Sequence, residues 1–200
     1  MSDHDRATAA LVRVSAAHQA LLADLDEPLN PARPSALAGW SVGHVLTHLA
    51  RNADSVTHRL EAAGRGEHAD QYPGGADGRN AEIEAGSRRT WPELQADVTS
   101  SCTRLEAVAA GLPVAAWSVV STSVTGLRQD AATVLDRRVR EVVVHHTDLG
   151  LSFTPANWPT DLVAELNAEL VATLPERAEP HALAGWLTGR DRAPVLKAWS

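Results

Sequence analysis

Sulfur is scarce in this chain: its 200 residues hold one cysteine, Cys102, and one methionine. A lone cysteine excludes an intramolecular disulfide and any metal site built from several thiolates. Lysine is almost absent as well, since 17 of the 18 basic residues are arginine and only Lys197 is not. Against 25 acidic residues this leaves a formal net charge of −7, and no basic cluster offers a footprint for a nucleic-acid backbone. Long apolar runs are missing too; none approaches the roughly 18–20 residues of a membrane span. The N-terminus, MSDHDRATAALVRV, lacks the basic-then-apolar layout of a secretory signal. The expected setting is therefore the cytoplasm, with neither membrane nor nucleic acid as partner. What the chain does have is 44% hydrophobic residues, enough to bury a core, and nine histidines, more than its size calls for.

The hydrophobic pattern is helical almost throughout. Residues 5–25 place apolar side chains at spacings of three and four. "EPLNPARPSALAGW" then breaks the helix with three prolines. Ser41 is a natural N-cap for a second helix, whose stripe is Val42, Val45, Leu46, Leu49, Ala53, Val56 and Leu60. "AAGRGEHADQYPGGADGRN" reads as a glycine-rich connection, too long for a mere turn. A third helix is expected from about Ala81 to Ala110, with a new start at Thr90-Trp91-Pro92. "GLPVAAWSVVSTSVTG" is the one β-like or irregular stretch. A fourth helix from about Leu127 to Asp148 stops at Gly150, and a fifth covers 160–174. The expected architecture is mainly α, a four-helix bundle over 1–152 followed by a short C-terminal appendage over 153–200.

Helical geometry says where the polar residues point. At 100° per residue, His48 lies about 120° and Asn52 about 80° from the centre of the second helix's apolar stripe. His44, about 160° away, should face solvent. On the fourth helix Glu141 falls about 120° and His145 about 80° from Leu135, on one side, whereas His146 at about 20° points inward. His48, Glu141 and His145 thus occupy flank positions from which a bundle can line an internal cleft. Two imidazoles and a carboxylate suit zinc or another borderline divalent ion, with positions left open for chemistry. Spacing alone leaves the alternative standing that Glu141 and His145 merely solvate a helix edge. Cys102 sits in an apolar-periodic helix as a small hydrophobe.

Three segments, "GWSVGHVLTHLARNADS", "REVVVHHTDLGL" and "GWLTGR", together resemble the mycothiol-dependent maleylpyruvate isomerase family of DinB-like metal-binding four-helix bundles. The resemblance implies that His48, Glu141 and His145 are the metal ligands and that the ion is zinc. It also implies mycothiol as cofactor: a metal-bound thiolate adds to the cis double bond of maleylpyruvate, the bond rotates, and elimination gives fumarylpyruvate, a step in aromatic-compound degradation. No cysteine of the protein is needed. The substrate carries two carboxylates, and Arg79 in "GGADGRN" and Arg190 in "GWLTGR" match the arginines expected to hold them. Asn52, one turn after His48, is expected at the cofactor, and Asp148 either orients a ligand or simply sits near the helix end. Only 50 residues follow Gly150, fewer than the longer α/β C-terminal domain of the usual members. That difference leaves two other functions open: a mycothiol S-transferase acting on another electrophile, and a non-catalytic helical binding module.

Overall fold

The computed structural model describes residues 3–197 and divides the chain into two compact units, one ending at Ala156 and one beginning at Asn157. The first unit is built on four long helices, α1 (Asp3–Asp24), α2 (Val42–Gly64), α4 (Trp91–Ala110) and α5 (Ala131–Asp148), with the shorter α3 (Gly75–Gly86) leaning on α2. Helix α1 packs on α5 and α4, and α2 packs on α4 and α5, which closes the bundle. This is the mainly α, DinB-like bundle that the periodicity and the resemblance predict.

Three of the long helices are started by a local device. Ser41 caps α2: its hydroxyl accepts from the backbone N–H of His44 while its own N–H donates to His44 Nδ1. A histidine thus fills the capping-box position usually held by Glu or Gln. Thr90 begins α4, with its N–H donating to Glu93 Oε2 and Pro92 in the first turn. Asp130 caps α5 by accepting from the Thr133 N–H at 2.7 Å. The predicted stripe of α2 is buried in full, from Val42 through Leu46, Leu49 and Ala53 to Leu60. Opposite it lie Leu94, Val98 and Leu105 of α4 and Leu135, Val139 and Val142 of α5.

Two expectations need correction. The stretch expected to be a loop up to Asn80 turns helical at Gly75, so Arg79 sits on α3. Gly75 and Gly78 conceal the start of that helix, since a helical glycine costs about 1 kcal/mol relative to alanine; Ile83 is the buried residue that holds α3 in place. The second correction concerns α5, which starts at Ala131 and not near Leu127. Arg128–Asp130 (β2) instead pair antiparallel with Val120–Thr122 (β1), joined through a turn in which Gly126 has φ +83°.

Packing at the α2 N-terminus is unusually close. A Cβ on Gly43 would lie 2.1 Å from the Ser87 carbonyl oxygen, so only glycine lets α2 approach the end of α3 there. The second unit is helical, with α6 (Thr160–Ala172), α7 (Leu174–Arg177) and α8 (Pro180–Leu187). Glu179 caps α8 by accepting from the N–H groups of His181 and Ala182. No helix among the described residues is long and apolar enough to cross a membrane.

Candidate metal centre

Helices α2 and α5 bring three ligand-type side chains together. His48 Nε2 lies 3.1 Å from Glu141 Oε2, and His145 Nε2 lies 3.8 Å from the same oxygen. One ligand atom from each of the three falls within 4.8 Å of the others. Two donors bound to one zinc at about 2.1 Å are at most about 4.2 Å apart, so small side-chain rotations would close the set on an ion. Glu141 and His145 share a face of α5 because they are four residues apart. His48 reaches them from the neighbouring helix.

The surroundings put His48 and Glu141 in the protonation states that suit a cation. Burial pushes the His48 imidazole down to about 4, against a smaller upward pull from its hydrogen bond to Glu141. Burial by itself would raise Glu141, but the hydrogen bond and charge of His48, with the charges of His145 and Arg138, hold it well below the usual carboxylate range. The Glu141 side chain also keeps 37% of its surface exposed, which limits the cost of its charge. At neutral pH the site therefore offers a neutral imidazole and an ionised carboxylate, the forms that bind a cation. This donor set fits a divalent metal with open positions.

Neighbouring groups orient the ligands. Asp148 Oδ2 is 2.8 Å from His145 Nδ1, which turns Nε2 of that ring toward Glu141. The edge of Trp40 packs on His48 at 5.6 Å between ring centroids, and the His48 and His145 rings meet at 86°. Trp40 also stacks on His44, which is engaged with Ser41 and, at 3.1 Å, with Glu84. His44 therefore belongs to a helix cap, where a solvated residue was expected. His146 is buried as expected; it contacts Asp24 at 2.9 Å and stacks on Phe153.

The remaining candidates fall in different places. Arg79 reaches back from α3, its Nη2 3.1 Å from His48 Nδ1, its Nη1 donating to Asn80 Oδ1, and its Cζ 5.9 Å from the Tyr72 ring centroid. An arginine can only donate, so His48 Nδ1 is the unprotonated nitrogen here and Nε2–H faces Glu141. Asn52 is 4% exposed, and its Oδ1 accepts from Arg138 at 2.8 Å. Arg190 lies in the second unit, exposed in the turn after α8, where it donates to the Thr188 carbonyl. Arg138, Trp40 and Tyr72, which also surround the site, carry little signal in the sequence. Arg138 was hidden among the charged residues of RRVRE, and only its place three residues before Glu141 could have marked it.

A family model described as the mycothiol maleylpyruvate isomerase N-terminal domain matches residues 11–150. The chain belongs to this family. Among solved structures, a mycothiol-dependent maleylpyruvate isomerase aligns over 100% of this chain and 85% of its own, with a TM-score of 0.78 at 23% identity. A histidine-to-alanine mutant structure described in the same words aligns over the same shares at the same identity, with a TM-score of 0.79. At that identity the two structures establish a shared fold. Comparison with curated proteins gave no match. For this member of the maleylpyruvate isomerase family, the His48–Glu141–His145 cluster is the candidate centre.

Proposed function

We propose that the chain is a mycothiol-dependent isomerase that converts maleylpyruvate to fumarylpyruvate in the cytoplasm, with a divalent metal, zinc by preference, held by His48, Glu141 and His145. The observation that carries this is the convergence of the three ligands from α2 and α5 in a chain of this family. A metal in this position supplies Lewis acidity, which lowers the pKa of a bound thiol and so provides a nucleophile at neutral pH.

The protein's own groups then have distinct tasks. Asp148 fixes the tautomer and direction of His145. His48 gives Nδ1 to Arg79; if His48 held a metal through its other nitrogen, the ring proton would sit on Nδ1 and that contact would be given up. The guanidinium, beside Tyr72 and Asn80, would then be available for a substrate carboxylate. Asn52 spends its oxygen on Arg138, which leaves its amide N–H groups for the thiol cofactor. Cys102 plays no chemical part, because burial pushes its thiol up and away from the thiolate.

Metal analysis of the purified protein, followed by a spectrophotometric assay with mycothiol and maleylpyruvate, tests this directly. Metal-dependent and thiol-dependent isomerisation is expected. Metal binding without isomerisation, together with conjugation of mycothiol to another electrophile, would replace the isomerase assignment with a transferase.

A further inference from the structure

Arg138 on α5 is completely buried, yet among the described residues no carboxylate takes its hydrogen bonds. Its Nε donates to His18 Nε2 of α1 at 3.2 Å, its Nη1 to Asn52 Oδ1 of α2 at 2.8 Å, and its Nη2 contacts Cys102 Sγ of α4 at 3.7 Å. One planar side chain therefore touches each of the other three bundle helices. His18 passes the contact on, its Nδ1 lying 2.7 Å from Glu106 Oε1 of α4. Burying a cation on neutral partners is costly, and an apolar side chain of similar volume would fill the same space more cheaply. Packing alone does not account for an arginine here.

Its position along the helices does. Asn52 follows His48 by four residues on α2, and Arg138 precedes Glu141 by three on α5. The His48–Glu141 and Asn52–Arg138 contacts are thus successive rungs between the same two helices, about one turn or 5 Å apart. A fork with fixed geometry in the lower rung sets the rotation and register of α5 against α2. We infer that Arg138, acting through Asn52, is a positioning residue that holds α2 and α5 in the register that brings His48 to Glu141 and His145. This rests on the metal-site assignment above and adds to it the element that assembles the site.

The test separates positioning from general stability. Co²⁺ affinity is measured by competition with a chromophoric chelator, with the visible absorption of the Co²⁺ protein as a reporter of ligand geometry and urea unfolding as a reporter of stability. The double variant Asn52→Leu/Arg138→Met removes the polar rung without leaving either partner unpaired across it. Its urea midpoint is expected to fall only modestly, because the buried His18 Nε2 loses its donor, while Co²⁺ binds at least tenfold more weakly, beyond what that loss accounts for, with an altered spectrum. The single variant Arg138→Lys keeps the charge and loses the fork; it should fold, bind Co²⁺ more weakly and show the same spectral change. If either folded variant binds with the parent's affinity and spectrum, the inference is overturned. It is equally overturned if affinity falls only in step with stability. A parent that binds no Co²⁺ removes the metal site itself, and the inference with it.

Discussion

Acidifying the metal-free protein from pH 7.5 to pH 5.0 should destabilise it steeply, and His18 provides the clearest cause. This imidazole is 1% exposed, and burial, with the charge of Arg138 adding to it, pushes its pKa down to about 2. The unfolded chain takes up a proton near 6.5 while the folded chain does not, so below that value the unfolded state binds more protons and folding weakens as pH falls. At pH 5.0 the difference for one such histidine is about 2 kcal/mol. His48 and His146 are held below the ordinary value by burial as well and add in the same direction. Set against a typical stability of about 5–15 kcal/mol, the loss is large. Urea titrations of the chelator-treated protein at closely spaced pH values would measure it. Replacing His18 with Gln should reduce the slope of stability against pH by about 1.4 kcal/mol per pH unit below pH 6, the signature of one missing proton. An unchanged slope in that variant, or a stability flat down to pH 5, would refute the reasoning.

The purified protein should hold about one divalent metal per chain; His48→Ala, Glu141→Ala and His145→Ala should each lose it by elemental analysis, and His146→Ala should keep it. Cys102→Ser should retain full thiol-dependent turnover in a steady-state assay, because a buried thiol with a raised pKa is a poor nucleophile. Arg79→Ala should lower kcat/KM by roughly ten- to a hundredfold without metal loss, and Arg79→Lys should recover only part of it, since a point charge lacks the bidentate fork. Gly43→Ala should lower stability by about 1–3 kcal/mol in urea unfolding, because its methyl group would meet the Ser87 carbonyl oxygen.

Much of the bundle was legible because its signals are local. The α2 stripe, the Ser41 cap and the stop at Gly150 depend on neighbours within a few residues, and the structure has each of them. The flank positions of His48, Glu141 and His145 followed from one angle per residue, and the chain does bring them together. What one-dimensional geometry could not supply was depth. His48 was placed on the edge of the stripe but is 3% exposed, because Trp40 and the side chain of Arg79 on α3 cover it from outside its own helix. The start of α3, before Ala81, is illegible for the same reason, since its glycine-rich first turns are held by tertiary packing against intrinsic propensity. Arg138 was invisible because an arginine on a helix normally faces water, and only the arrangement of three other helices reveals that this one does not.

The two sides of the candidate centre are unequal in a way that bears on assembly. Glu141 and His145 belong to a single helix, so an isolated α5 peptide would already present that pair whenever it became helical. His48 lies 93 residues away from Glu141 along the chain. It can join them only after α2 has docked, which requires the intervening α3, α4 and the β1–β2 hairpin to be accommodated. Ion capture by all three ligands therefore reports completed tertiary structure, not helix formation. A backbone cut anywhere between Gly64 and Ala131 would leave the two sides on separate fragments. In such a split protein, recovery of tight ion binding would measure whether the fragments had found each other.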